Sequence, residues 1–251
     1  MKRILILIIT TMTILTACGE DKTTNHLNNA NKPKNSSPAK VTTSKLSRYM
    51  LEDTVCNALS VDDIKKTFNV VTEITLEGST NRYTSGVTCN YSWTRADAKE
   101  REEKFMTYII DQMQGKVEKI SMRKRTTESN ISIKIEEFKG NVDRFIPVKL
   151  TEEQLQKQIE SAKKRANERL SDEQKKVAGG MANNMMEKML RQNNQNKTIE
   201  GLGDGAYWSP VAGGGLNVLS GNTKMFISLM IGDTQEQDID NAKKIAQLIL
   251  K

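Results

Sequence analysis

Side-chain chemistry needs a nucleophile, a base, an acid or a set of metal ligands at suitable spacing, and this chain of 251 residues is sparing with all of them. It has three cysteines, Cys18, Cys56 and Cys89, and one histidine, His26. His26 lies in a stretch rich in Asn, Thr, Ser and Lys. Nucleophile-and-base arrangements therefore lack their usual base in the part of the chain expected to fold. One histidine and two spare thiols make a poor zinc site, so no metal or cofactor is expected. The carboxylates that remain are Asp62, Asp63, Glu136, Glu137 and Asp204. Paired at about 5–10 Å they would suit hydrolysis of a glycan. Each also has a structural reading: the first two begin a helix, the next two straddle a strand, and Asp204 sits in a turn. Gly201-Leu202-Gly203-Asp204-Gly205 is as glycine-dense as a phosphate loop, but it lacks the Lys-Ser/Thr pair and does not lead directly into a helix. Tyr207 and Trp208 follow it; they read first as core or edge aromatics, and as a binding surface they would stack on a sugar or a peptide.

These residues are placed by a succession of short elements. Ser60 is a helix N-cap with Asp62 and Asp63 in the first turn, and Val61, Ile64 and Phe68 recur at helical spacing. Val70 to Leu76 reads as a strand, Glu77 to Ser85 as a loop, and Val87 to Trp93 as a strand with Cys89, Tyr91 and Trp93 on one face. Ala96 to about Arg125 carries Phe105, Ile109, Met113 and Val117 every four residues and predicts a long amphipathic helix, with Gly115 as a point of early termination. Ile131, Ile133 and Ile135 alternate with Ser132, Lys134 and Glu136 in a half-buried strand. Thr151 with Gln154 forms a capping box. It opens a second long helix, near 151–193, whose stripe runs from Leu155 and Ile159 through Val177 to Met189 and is interrupted at Gly179-Gly180. Met181, Met185, Met186 and Met189 suit the seam of a helical hairpin better than an adaptable groove. Lys163-Lys164-Arg165, flanked by Glu160 and Glu168, reads as a solvated face. Ala206 to Trp208, Leu216 to Leu219 and Lys224 to Ile231 are strands, the last two joined across Ser220-Gly221-Asn222. Asp233 or Thr234 caps a final helix with Ile239, Ala242, Ile245, Ala246, Ile249 and Leu250 on its apolar face.

The front of the chain is of another kind. Lys2 and Arg3 precede an apolar run from Ile4 to Leu15, too short for the roughly 20 residues that span a bilayer. Gly19, Glu20 and Asp21 end it at once. Leu15-Thr16-Ala17-Cys18 closes the run and resembles the lipobox of bacterial lipoproteins. The resemblance implies cleavage before Cys18, a diacylglycerol on its thiol, and an acyl chain such as palmitate on its new amino group. Residues 1–17 would then be a signal peptide and 18–45 a lipidated Cys with a disordered tether, poor in apolar residues. Two or more acyl chains anchor durably where one does not. The formal charge is +7, which by itself would suit a nucleic-acid binder. The excess lies in the signal and the tether, where Lys22, Lys32, Lys34, Lys40, Lys45 and Arg48 face only Glu20 and Asp21. The remainder is near neutral, so no nucleic-acid partner is expected. In an exported protein the two remaining thiols, Cys56 and Cys89, are expected to pair.

Residues 46–251 predict a single α+β domain: a mainly antiparallel sheet covered by helices, with a long inserted helical hairpin built from the segments near 96–125 and 151–193. The run from Cys56-Asn57-Ala58-Leu59-Ser60 through Cys89-Asn90-Tyr91-Ser92-Trp93 to Gly201–Trp208 is similar to small exported bacterial lipoprotein domains of uncharacterised function. That resemblance carries no catalytic residues. The expectation is an extracytoplasmic protein held to a membrane by lipid, on the periplasmic side of an outer membrane or at the cell surface. It would bind a protein or cell-wall component and catalyse nothing. The rivals are an envelope glycan hydrolase using paired carboxylates and a structural envelope lipoprotein with no discrete ligand.

Overall fold

The computed structural model describes residues 44–80, 86–114, 122–169, 171 and 179–251. The signal, Cys18, the tether, Val117 and Val177 lie outside them. Ser44 caps a single 3-10 turn, Lys45–Tyr49, which buries Leu46. Two helices follow, α1 (Glu52–Val55) and α2 (Val61–Phe68). Ser60 caps α2 by accepting a hydrogen bond from the Asp63 amide at 3.0 Å. The helix ends on Asn69 in the left-handed region, φ 53°, a conformation Asn tolerates better than most residues.

Seven strands form one antiparallel sheet: β1 (Thr75–Thr80), β2 (Val87–Thr94), β3 (Glu128–Glu137), β4 (Lys197–Thr198), β5 (Gly205–Ser209), β6 (Gly215–Ser220) and β7 (Thr223–Met230). Their spatial order is β1-β2-β3-β7-β6-β5-β4. The sheet is thus two meanders, each contiguous in sequence, joined where β3 lies beside β7 with Ile133 opposite Ile227. β6 and β7 are linked by Gly221-Asn222, with Gly221 at φ 58°, the backbone a tight hairpin needs at its first central position.

Alternation decides which face is core. Val87, Cys89, Tyr91 and Trp93 on β2, Ile131, Ile133 and Ile135 on β3, and Met225, Ile227 and Leu229 on β7 are all buried. They pack beneath α1, α2 and the last helix, α7 (Gln235–Leu250), which contributes Ile239, Ala242, Ile245, Ala246 and Ile249. Thr234 caps α7 in a capping box with Gln237. Each large aliphatic side chain so buried contributes roughly 1.5–3 kcal/mol. Tyr91 donates its hydroxyl to the Leu59 carbonyl at 2.8 Å, and burial pushes its pKa well above that of a free phenol.

The remaining helices are α3 (Ala98–Met113), α4 (Met122–Arg125), α5 (Glu152–Arg169) and α6 (Gly180–Asn193). The fold class is α+β with an inserted hairpin, but the hairpin has a different composition from the expected one. It pairs α5 with α6, the two halves of the 151–193 segment, and α3 is not its partner. Arg191 reaches Glu152 at 2.7 Å, Lys163 reaches Glu187 at 2.5 Å, and Asn183 meets Asn167. Partner numbers that rise on one helix while falling on the other mean antiparallel packing. Gly179 is already helical, at φ −59° and ψ −40°, and Gly180 opens α6, so the interruption expected at the glycine pair does not fall on it. A second difference is at β1. Thr75–Thr80 is strand where the Gly, Ser and Thr content suggested loop. Pairing with β2 along the whole length, Gly78 opposite Cys89, overrides weak propensity.

Candidate functional site

Because β2, β3 and β7 bury one face, their alternate residues all point to the other. On β2 these are Thr88, Asn90, Ser92 and Thr94, on β3 Glu128, Asn130, Ser132, Lys134 and Glu136, and on β7 Lys224, Phe226, Ser228 and Met230. The register sets them side by side. Asn90 is opposite Ser132 and Ser92 opposite Asn130. Ser132 is opposite Ser228, and Lys134 opposite Phe226. Neighbours across strands are about 4.8 Å apart. Outward positions of a strand are usually filled with long charged side chains. Here the middle of three strands carries small hydroxyl and amide groups that form a grid, with charged side chains toward its ends.

All six uncharged polar members, Thr88, Asn90, Ser92, Asn130, Ser132 and Ser228, are half-buried. Among the described residues their side chains make no hydrogen bond, and none of their polar atoms is shut away from solvent. They are therefore accessible donors and acceptors without a structural task. Phe226 borders the grid. A Cβ on Gly215 would collide with one edge of its ring, so the side chain leans over the glycine of β6. At one end Lys134 and Lys224 both close on Glu136, each at 2.5 Å. Burial opposes ionisation of Glu136, but the two lysines hold its carboxyl below the usual range. At the other side Glu77 on β1 stands opposite Asn90. The six uncharged members carry no charge and no nucleophile-base pair, and charges on the same face gather at one end around Glu136. The grid's capacity is to hydrogen-bond and to stack.

Two cavities lie elsewhere. The larger, about 360 Å³, is lined by Ser44, Lys45, Gly203, Asp204, Ser220, Gly221 and Leu250. Three of its polar side chains are engaged: Asp204 accepts from the Gly221 amide at 2.6 Å, Lys45 donates to the Lys251 carbonyl, and Ser44 accepts from the Leu46 amide. The second, about 230 Å³, lies beside Phe68, Trp93, Arg95 and Ser129. Arg95 belongs to an ionic cluster that fastens α3 to the loop before α7. There Arg101 holds Asp97 at 2.7 Å and also pairs with Asp233 at 2.6 Å, while Arg123 reaches the fully buried Asp238. Burial works against the Asp97 charge, yet the Arg101 guanidinium keeps its pKa lowered. Both sites are organised to hold the fold together.

The residues singled out from sequence are dispersed. Cys18 lies outside the described residues. Cys56 and Cys89 form a disulfide, which ties the turn after α1 to β2. Trp208 is fully buried, its ring packed on Gly214, so it offers no contact surface. A residue facing the core on a central strand must be covered. Tyr207 points to the opposite side but is half-buried, with Phe145 packed edge-on at 5.4 Å, and burial raises its pKa. The carboxylates do not converge: Asp63 accepts from the Ser60 hydroxyl, Glu136 is held by lysines, Glu137 pairs with Lys139, and Asp204 braces the β6–β7 turn. Three of the four methionines depart from the seam reading, while Met186 is half-buried. Met181, Met185 and Met189 are exposed, at 78%, 56% and 44%, because the seam is built of Lys163, Glu187, Asn167 and Asn183. Lys163 accordingly pairs across the hairpin instead of standing in solvent.

Sequence reasoning missed the grid. Its signal was present in the outward positions of β2 and β3, read there only as the wet side of half-buried strands. Among the described residues no group of three or more His, Cys, Asp or Glu is placed to hold a metal ion, and no helix is long and apolar enough to cross a membrane. No family model, curated protein or solved structure matches the chain.

Proposed function

We propose that this protein is anchored by lipid at Cys18, works outside the cytoplasm, and acts by binding a protein or cell-envelope component without catalysis. The anchor rests on Leu15-Thr16-Ala17-Cys18 in register behind a basic start and a short apolar run. The observation that carries binding is the partner-free grid on β2, β3 and β7. Six polar groups held half-buried on a rigid sheet, with no internal bonds to make, are preorganised for an external partner. Binding is favoured over catalysis because the acids that could run hydrolysis each serve a lysine, a cap or a turn.

Cys18→Ala followed by membrane fractionation tests the anchor. The variant should leave the membrane fraction while the wild type stays in it. A variant that remains fully membrane-bound would overturn the reading. For the binding half, a photo-crosslinking side chain at Asn90 in intact cells should capture one recurring envelope component, and the same group at exposed Val148 should not. Equal capture at both positions would count against the sheet face as the working surface.

A further inference from the structure

We infer that the grid takes an uncharged, polyhydroxylated ligand, a stretch of glycan chain laid across β2, β3 and β7. This rests on the reading above that the protein works by binding, and it names the ligand class.

Three features select that chemistry. First, the groups are of one kind. Ser and Thr hydroxyls both donate and accept, and Asn does both through separate atoms, which matches sugar hydroxyls. Second, the centre of the grid is uncharged. An anionic ligand would surrender its hydration there without meeting a counter-charge, a far larger penalty than desolvating hydroxyls. The nearest cations, Lys134 and Lys224, are committed to Glu136. Third, Phe226 borders the grid, opposite Lys134 and two residues along β7 from Ser228, with one ring edge over Gly215. An aromatic ring beside hydrogen-bonding groups suits the C–H face of a pyranose, which is apolar while its rim is polar. A peptide strand is a poorer occupant. The backbones of β2, β3 and β7 are paired on both sides within the sheet, so they offer no edge for strand addition.

The test uses ¹⁵N-labelled full-length protein in detergent, titrated with three tetrasaccharides: cellotetraose, chitotetraose and an anionic heparin-derived tetrasaccharide. Cellotetraose and chitotetraose separate a bare polyol from one bearing acetamido groups. At least one of the two should shift the Asn90 and Asn130 side-chain amide signals and leave the indole signal of Trp208, buried on the core side, in place. Ser132→Ile, a strand-favouring change, and Phe226→Leu each fill or flatten the site. Each should weaken that binding by about tenfold while keeping the Trp208 signal that reports a folded core. The inference is overturned if neither neutral sugar moves the two asparagines, if only the anionic one does, or if folded Ser132→Ile binds as tightly as wild type. Should the sugars fail while Cys18→Ala still leaves the membrane and Asn90 still captures a partner, the ligand class falls and the anchored binder stands. Retention of Cys18→Ala in the membrane would instead remove the anchor, whatever the sugars do.

Discussion

At the scale of single residues, the clearest actors are those whose loss has one cause. The Cys56–Cys89 bridge closes a separation of 33 residues, so chain-entropy reasoning assigns it roughly 3–4 kcal/mol. Cys89→Ala, or reduction of the wild type, should lower unfolding free energy by about that amount in urea titrations. Glu136 gives a pH signature. Its folded pKa lies below the ordinary 4.5 because Lys134 and Lys224 stabilise its charge against the cost of burial. The stability it contributes is therefore fully present above about pH 4.5 and is lost as pH falls through the lowered folded value. Glu136→Gln should flatten the acid limb of a stability-versus-pH curve and lie closest to wild type at the acid end. A curve of unchanged slope would mean that the two lysines do not hold the carboxylate in solution. Cys56 and Cys89 were legible as a pair because a chain read as exported leaves few other uses for two thiols. Trp208 fits the core reading and not the binding surface; neighbouring aromatics in a strand look alike in sequence, whereas period two sends one inward and the other outward.

At the scale of elements, alternation and capping were readable and partnership was not. The Ile131–Ile135 strand, the Thr151–Gln154 capping box and the face of α7 follow from local periodicity, and the structure has all three. The hairpin composition depends on which helix α5 folds back upon, a long-range choice that the spacing within α5 does not encode. The exposed stripe Met181, Met185 and Met189 is the residue of that misjudgement. Replacing all three with Gln should change unfolding free energy by no more than about 0.5 kcal/mol per site, as for other surface positions. A larger loss would show that the methionines are covered in solution. Gly203 is a sharper case. It sits at φ 56°, and a Cβ there would strike the Leu219 carbonyl oxygen. Gly203→Ala should therefore cost about 2 kcal/mol or more through strain and displacement together, measurable by thermal melting. The grid belongs to this scale too. No single Ser or Asn is informative, and only the register of three strands makes them neighbours.

At the scale of the whole molecule, the decisive contact is the join of β3 to β7. It brings together residues about a hundred positions apart, Asn130 opposite Met230 at one end. Pairing at such separation slows folding toward the millisecond-to-second range, and the amides of Ile133 and Ile227 should be the slowest to exchange with deuterated solvent. Faster exchange there than in β1 would mean that the two meanders separate before the rim frays. The same topology has a consequence for how the chain can be divided. A nick between α5 and α6 would leave two polypeptides, each holding its own uninterrupted set of strands. The disulfide would lie wholly in the first, with Trp93, and Trp208 in the second. Mixed after separate purification, the halves should seek each other out through the exposed flanks of β3 and β7 and rebuild the parent, seen as a coincident return of both indole signals.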